Sequence, residues 1–164
     1  MVVPTSRRDF LRAAAVSPIL SQPFDSGGLR DLFGRYLHCV DRRDAQSLSR
    51  LFAERAEYRD LTFGVRLVGR DAIRNMFARS FAALAESTFV VNSSALEGNT
   101  IAVRWESTGR HQGPMLGMPG SGRVITLRGA SFLTVAHDRV AEQVDYLDRS
   151  GLERQLGVRG ASRE

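Results

Sequence analysis

Val140-Ala-Glu-Gln-Val-Asp-Tyr-Leu-Asp148, followed directly by Arg149-Ser-Gly-Leu-Glu-Arg-Gln-Leu-Gly157, reads as a β-strand that runs into a closing helical turn. Two carboxylates, Asp145 and Asp148, stand near its end, and Val144, Tyr146 and Leu147 surround the first with apolar groups. Alternation puts Gln143, Asp145 and Leu147 on one face of this strand. Asp148 has the opposite parity and is placed to cap the final turn. A carboxylate on a half-buried strand is costly unless it is paired or has a chemical task. Burial raises its pKa toward the range that a general acid or base needs. Asp145 is therefore the first candidate for chemistry, and an ion pair with an arginine across the sheet is its structural alternative.

Working outward from this strand, residues 124–135 form a partner with period-two character, joined through Ala136-His137-Asp138. Ser131 and Leu133 share one of its faces. Residues 88–96 turn at Glu97-Gly98-Asn99 into a strand over 101–107, on which Trp105 alternates with Val103 and Ile101. The intervening segment 109–122 is rich in Gly and Pro and carries His111, Met115, Leu116 and Met118. It reads as a mobile apolar loop of the kind that forms the lip of a pocket. Toward the N-terminus, Leu29, Leu32, Phe33, Tyr36, Leu37 and Val40 recur at helical spacing, and Asp44 opens a short second helix. Residues 56–60 and 64–68 read as a small hairpin, and a third helix runs from Gly69 to about Ala85. Helices followed by a meander of long strands predict an α+β domain. The expected packing is a strongly curved, mostly antiparallel sheet wrapped around three N-terminal helices, with a pocket in the concavity.

Composition narrows the possible partners. The chain has 164 residues, 43% of them hydrophobic, enough for one domain with a sizeable core. All 23 of its basic residues are arginine, and they alternate with acids, as in Asp41-Arg42-Arg43-Asp44. Nucleic-acid binding calls for a clustered basic face instead, so no such partner is expected. His38, His111 and His137 are dispersed without metal-ligand spacing, and neither metal nor cofactor is expected. Cys39 has no second cysteine to pair with and reads as a buried thiol. No stretch approaches the ~20 apolar residues of a membrane span.

The first 26 residues stand apart from residues 27–158, which form the domain, and 159–164 read as a disordered tail. Thr5-Ser-Arg-Arg-Asp-Phe-Leu-Arg12, followed by an alanine run, resembles a twin-arginine export signal. Its apolar stretch is short and broken by Pro18, and no clean small-x-small cleavage site follows. Used as a signal, it directs the protein to the periplasm or beyond. A disordered tail with a chance Arg-Arg pair leaves it cytoplasmic.

The order of elements and two motifs resemble the nuclear transport factor 2-like superfamily, and within it the SnoaL-like polyketide (ester) cyclases. One motif is the ending in which a strand aspartate, Asp145, precedes Gln155-Leu-Gly157. The other is Thr108-Gly-Arg-His-Gln-Gly113 through Gly117-Met-Pro-Gly-Ser-Gly122. The resemblance spans the whole domain. It implies that Asp145 serves as acid/base for an intramolecular aldol closure, and the histidine that assists it in such cyclases falls on Ser131. The segments Arg35-Tyr-Leu37 and Ala56-Glu-Tyr-Arg-Asp60 also resemble the related ketosteroid isomerases. That likeness implies an oxyanion donor at Tyr36 and a proton-shuttling carboxylate at Asp60. Ser131 again stands where the isomerases place a stronger group.

Together these readings give a small, cofactor-free enzyme that moves a proton α to a carbonyl of an apolar compound. Asp145, Asp60 and Tyr36 are its candidate catalytic groups. Ser131, His111, Gln143, Leu147, Met115 and Trp105 are its candidate substrate-binding groups. Structural alternatives stand beside them: Asp60 capping the turn at Leu61-Thr62, Tyr36 packing in the core, His111 facing solvent, and Trp105 packing on the sheet or meeting a partner. The competing functions are an exported carrier that holds a small hydrophobic ligand unchanged, and a dehydratase using the same groups. By analogy a homodimer is expected through the outer sheet face, with Trp105 and Phe132 contributing.

Overall fold

The computed structural model describes residues 26–157. The export-type segment and the 159–164 tail read from the sequence lie outside them, Ser26 apart. The elements run α1 (Ser26–Asp41), α2 (Ala45–Arg50), β1 (Phe52–Asp60), β2 (Val65–Val68), α3 (Arg70–Ala83), β3 (Leu84–Glu97), β4 (Thr100–His111), β5 (Val124–Ala136), β6 (Arg139–Leu147) and α4 (Arg149–Leu156). The fold is mixed α+β, with one curved six-stranded sheet and four helices among the described residues. This corrects the expected set of three N-terminal helices. The hairpin β1–β2 separates the third helix from the first two, and the closing turn is a full helix of 8 residues.

The sheet order is β2-β1-β6-β5-β4-β3. Every pairing is antiparallel except β1 with β6, which are parallel. A parallel pair needs a long crossover, and here everything from β2 to β5 lies between the two strands. This crossover carries the last strand back beside the first, so residues distant in sequence meet in the middle of the sheet.

Local chemistry sets the ends of the elements. Asp44 caps α2 by accepting from the Ser47 N–H at 2.9 Å, and Asp148 caps α4 by accepting from the Gly151 N–H at 2.8 Å. Gly157 closes α4 at φ +71°, the left-handed conformation glycine tolerates best. His137 and Asp138 both take positive φ, which matches the twist of the tight β5–β6 hairpin. The strand β3 begins at Leu84, directly after α3, and a register shift between Ala85 and Thr88 with Glu86 at φ +51° bends its start.

One face of the sheet is apolar. Ile125, Leu127, Leu133 and Val135 of β5 point inward with Ile101 and Val103 of β4, and Leu29 and Leu32 of α1 are almost fully buried. The opposite face carries Phe132 and Tyr146, 43% and 47% exposed, in an edge-to-face pair at 6.0 Å. Trp105 does not belong to that outer face. It is 8% exposed and points inward, so the expected contribution of Trp105 to a dimer contact is corrected. Among the described residues no helix is long and apolar enough to cross a membrane.

Candidate active site

A cavity of about 510 Å³ lies between the inner sheet face and helices α1 and α3. This size falls within the range of small-molecule sites. Its walls are aromatic and aliphatic: Phe33, Leu37 and Val40 from α1, Met76, Phe77 and Phe81 from α3, and Leu147, Leu127 and Phe89 from the sheet. Ring contacts among Phe33, Tyr36, Phe77, Tyr58 and Phe81 at 6.0–6.5 Å tie the helices to the floor. The lip is Pro114-Met-Leu-Gly117, where Met115 and Met118 exchange both main-chain hydrogen bonds at 2.9 Å around a two-residue turn.

The floor is polar. Register places Asp60 beside Asp145 across β1 and β6, and Ser131 beside Asp145 across β5 and β6. Main-chain and hydroxyl contacts fix the first pairing. The Leu61 N–H donates to the Asp145 carbonyl at 3.0 Å, and the Leu147 N–H donates to Thr62 Oγ1 at 2.8 Å. One row further on, Tyr58 stands beside Gln143. Asp60, Tyr58, Ser131, Gln143 and Asp145 are all at most 6% exposed, yet all line the cavity.

Two side chains donate to Asp145: the Tyr58 hydroxyl donates to Oδ2 at 2.9 Å, and the Gln143 amide donates to Oδ1 at 2.9 Å. Ser131 stands beside it across β5 and β6 and also favours the charged carboxyl. Burial is the dominant influence and pushes the Asp145 carboxyl up to about 6. Ser131, Gln143 and Tyr58 pull it down, and the neighbouring charge of Asp60 pushes it up again. Burial also raises the Asp60 carboxyl, against the Phe63 and Thr62 N–H groups that stabilise its charged form. Those two N–H groups both bond Oδ1, at 3.0 and 2.9 Å, whereas Oδ2 is buried without a partner. Asp60 therefore does cap the turn at Leu61-Thr62, and it has a second oxygen left over.

The expected groups are mostly brought together. Asp145, Asp60, Tyr36, Ser131, Gln143, Leu147, Met115 and Trp105 all line the cavity. Tyr36 differs in detail from a free oxyanion donor, because its hydroxyl donates to Gln143 Oε1 at 3.1 Å. Burial, then the charge of Asp145, push the Tyr36 and Tyr58 hydroxyls upward, so both remain protonated donors. His111 is the correction. It ends β4, is fully buried and does not line the cavity; its Nδ1 lies 3.2 Å from Ser121 Oγ. The strand continues to residue 111 rather than ending near 107, and this carries His111 out of the loop and under it.

Tyr58, which lines the cavity and donates to Asp145, was not among the groups singled out from the sequence. Its signal was present: it stands two residues before Asp60 on a strand, hence on the same face. The glycine at 129 was also informative. A Cβ there would lie 2.6 Å from Trp105 Cζ2 and 2.9 Å from the Tyr146 carbonyl oxygen, so only glycine lets the indole lie across β5. Among the described residues no cluster of three or more potential metal ligands occurs.

A curved sheet closed by helices over an apolar, acid-floored cavity has the architecture of the nuclear transport factor 2-like proteins. The chain belongs to the SnoaL-like polyketide cyclase family, which residues 30–156 match. Among solved structures, it is similar to TsrD from Streptomyces laurentii, with TM-score 0.71 and 24% identity over 83% of this chain and 99% of that one. A protein from Shewanella denitrificans OS-217, named for the SnoaL-like polyketide cyclases, gives TM-score 0.70 and 23% identity over 80% and 98% of the two chains. A protein of ketosteroid isomerase-like fold from Catenulispora acidiphila DSM 44928, in complex with trimethylamine, gives 0.67 and 18% over 79% and 94%. At these identities the likeness is one of fold. No curated protein sequence matches the chain.

Proposed function

We propose that the protein is a cofactor-free acid/base enzyme that moves a proton α to a carbonyl of a small apolar compound, giving cyclisation or isomerisation. One observation carries this reading: two carboxylates, Asp145 and Asp60, sit in register on adjacent strands at the floor of a cavity with aromatic and aliphatic walls. Like charges held together in such a place separate their titrations, and the pair then contains one acid and one base. Asp145, pushed up to about 6 by burial, is the general acid/base. Asp60, whose buried Oδ2 has no partner in the protein, relays the proton. Tyr36 acts through Gln143 on Asp145. Aromatic walls select a flat apolar body, and the polar floor accepts its carbonyl end.

The test is turnover of a panel of apolar carbonyl compounds with Asp145→Asn and Asp60→Asn. The reading expects a loss of 100-fold or more, on the order of what positioned acid/base groups contribute. Unchanged turnover by Asp145→Asn would end it.

A carrier function draws support from a separate observation. The Tyr36 and Tyr58 protons are both engaged within the protein, which leaves neither tyrosine free to meet an enolate oxygen. Ligand recovered chemically unchanged after long incubation decides for the carrier, and loss of water from it decides for a dehydratase. Export through the segment at residues 5–12 and a homodimer through Phe132 and Tyr146 belong to the same proposal. N-terminal sequencing of the exported fraction tests the export, and sedimentation tests the dimer.

A further inference from the structure

Trp105 is the only tryptophan in the chain. Its indole stacks on Phe89 at 5.4 Å and 30°, and its Nε1–H donates to Ser131 Oγ at 2.9 Å. Ser131 in turn stands directly beside Asp145 across β5 and β6, where its hydroxyl favours the charged carboxyl. A serine hydroxyl has one proton and two lone pairs. The indole, which can only donate, occupies a lone pair and so cannot compete for the proton. A serine hydroxyl without such a neighbour turns readily toward nearby main-chain carbonyls. A donor on the oxygen also polarises the O–H and strengthens the bond it makes.

We propose that Trp105 is a positioning residue of the acid/base site, which holds the Ser131 proton on Asp145, and that Gly129 is glycine to admit the indole. This rests on the reading of Asp145 as the acid/base group. Three further facts fit together under it. Trp105, Gly129 and Leu147 lie in one row of the sheet, and Val103, Ser131 and Asp145 in the next. The indole must therefore cross from its own row to reach Ser131. It crosses over Gly129, where any Cβ would collide with Cζ2 at 2.6 Å. The remaining groups that face Asp145 are Tyr58 and Asp60 from β1, Tyr36 from α1, and Gln143 on its own strand. Of these, none takes the place of Ser131 if its proton turns away.

Carboxyl NMR of Asp145 in the intact chain tests the proposal without a substrate. In Trp105→Phe, which keeps a ring against Phe89 and removes the N–H, the Asp145 midpoint rises by roughly half to one pH unit. That is part of the effect of a hydrogen bond to a charged group. Ser131→Ala raises it at least as far, and the double variant goes no further than Ser131→Ala, because Trp105 acts only through the hydroxyl. A midpoint unmoved by Trp105→Phe, or a Trp105→Phe shift that persists in the Ser131→Ala background, overturns the proposal. The unmutated protein offers a second test should a variant fail to fold. Its single indole N–H resonance must titrate with the midpoint of Asp145, and a resonance flat across that range overturns the proposal equally. An Asp145 midpoint near the ordinary aspartate value in the unmutated protein instead defeats the acid/base reading itself, so the two failures are distinct.

Discussion

Asp145→Asn separates a buried, titrating carboxylate from a merely structural one. In the folded chain this group titrates near 6, raised chiefly by burial, whereas in the unfolded chain it returns to the ordinary aspartate value of about 3.9. Between those two values the folded state holds the proton and the unfolded state has released it. Stability therefore falls as pH rises through this window. The contribution is fully present below about pH 4 and is lost above about 6. Two pH units correspond to about 3 kcal/mol, or roughly 10 °C in Tm for a domain of this size. Asparagine has the same shape and never ionises. Urea unfolding at pH 4 and pH 8 should show the unmutated protein losing about 3 kcal/mol more than Asp145→Asn over the same interval. Other groups, such as Glu57 and Asp44, whose hydrogen bonds lower their carboxyls, titrate in both proteins and cancel. Equal losses in the two proteins would refute the claim that burial raises the Asp145 carboxyl.

Tyr58→Phe removes the donor to Asp145 Oδ2, so the Asp145 midpoint, followed by carboxyl NMR, should rise above 6 by about one pH unit. Asp60→Asn keeps a carbonyl oxygen for the Thr62 and Phe63 N–H groups, so the fold should persist, while loss of the neighbouring charge lowers the Asp145 midpoint. Gly129→Ala drives a Cβ into the indole and the Tyr146 carbonyl; chemical denaturation should show a loss of roughly 1–3 kcal/mol, as overpacking usually costs. Phe132→Glu places a charge in the exposed apolar pair with Tyr146, and a sedimenting dimer should become a monomer with an unchanged Asp145 midpoint.

Much of this arrangement was legible because strands impose a period of two. Parity alone put Gln143, Asp145 and Leu147 on one face and sent Asp148 to the other, where it caps α4. The spacing of Leu29, Leu32 and Tyr36 fixed the buried face of α1 for the same kind of reason. The pairing of β1 with β6 was not legible. Parallel neighbours joined through most of the chain leave no local mark, and the register that sets Asp60 beside Asp145 arises only when the sheet assembles. His111 was misplaced because glycines on either side of it suggest a loop. Gly109 in fact lies within β4, where its missing Cβ admits the Ala85 carbonyl and Ser87 of the bent start of β3. The hydroxyl of Tyr36 follows the same rule: its position could be read from the helix, but its partner, Gln143, is 107 residues away.

The two carboxylates at the floor are chemically unequal, and the inequality lies in their donors. Main-chain N–H groups reach only Oδ1 of Asp60, and side-chain donors surround both oxygens of Asp145. Both groups are raised by burial, so the cavity resists holding two negative charges at once. Burial outweighs the side chains that favour its anion, so Asp145 is the group pushed up to about 6, and it holds the proton on the acid side of that midpoint. Asp60 is raised in the same direction, and its Oδ2 has no partner in the protein. Under the acid/base reading, one carboxyl of this pair donates toward a substrate carbonyl while the other takes a proton from the neighbouring carbon.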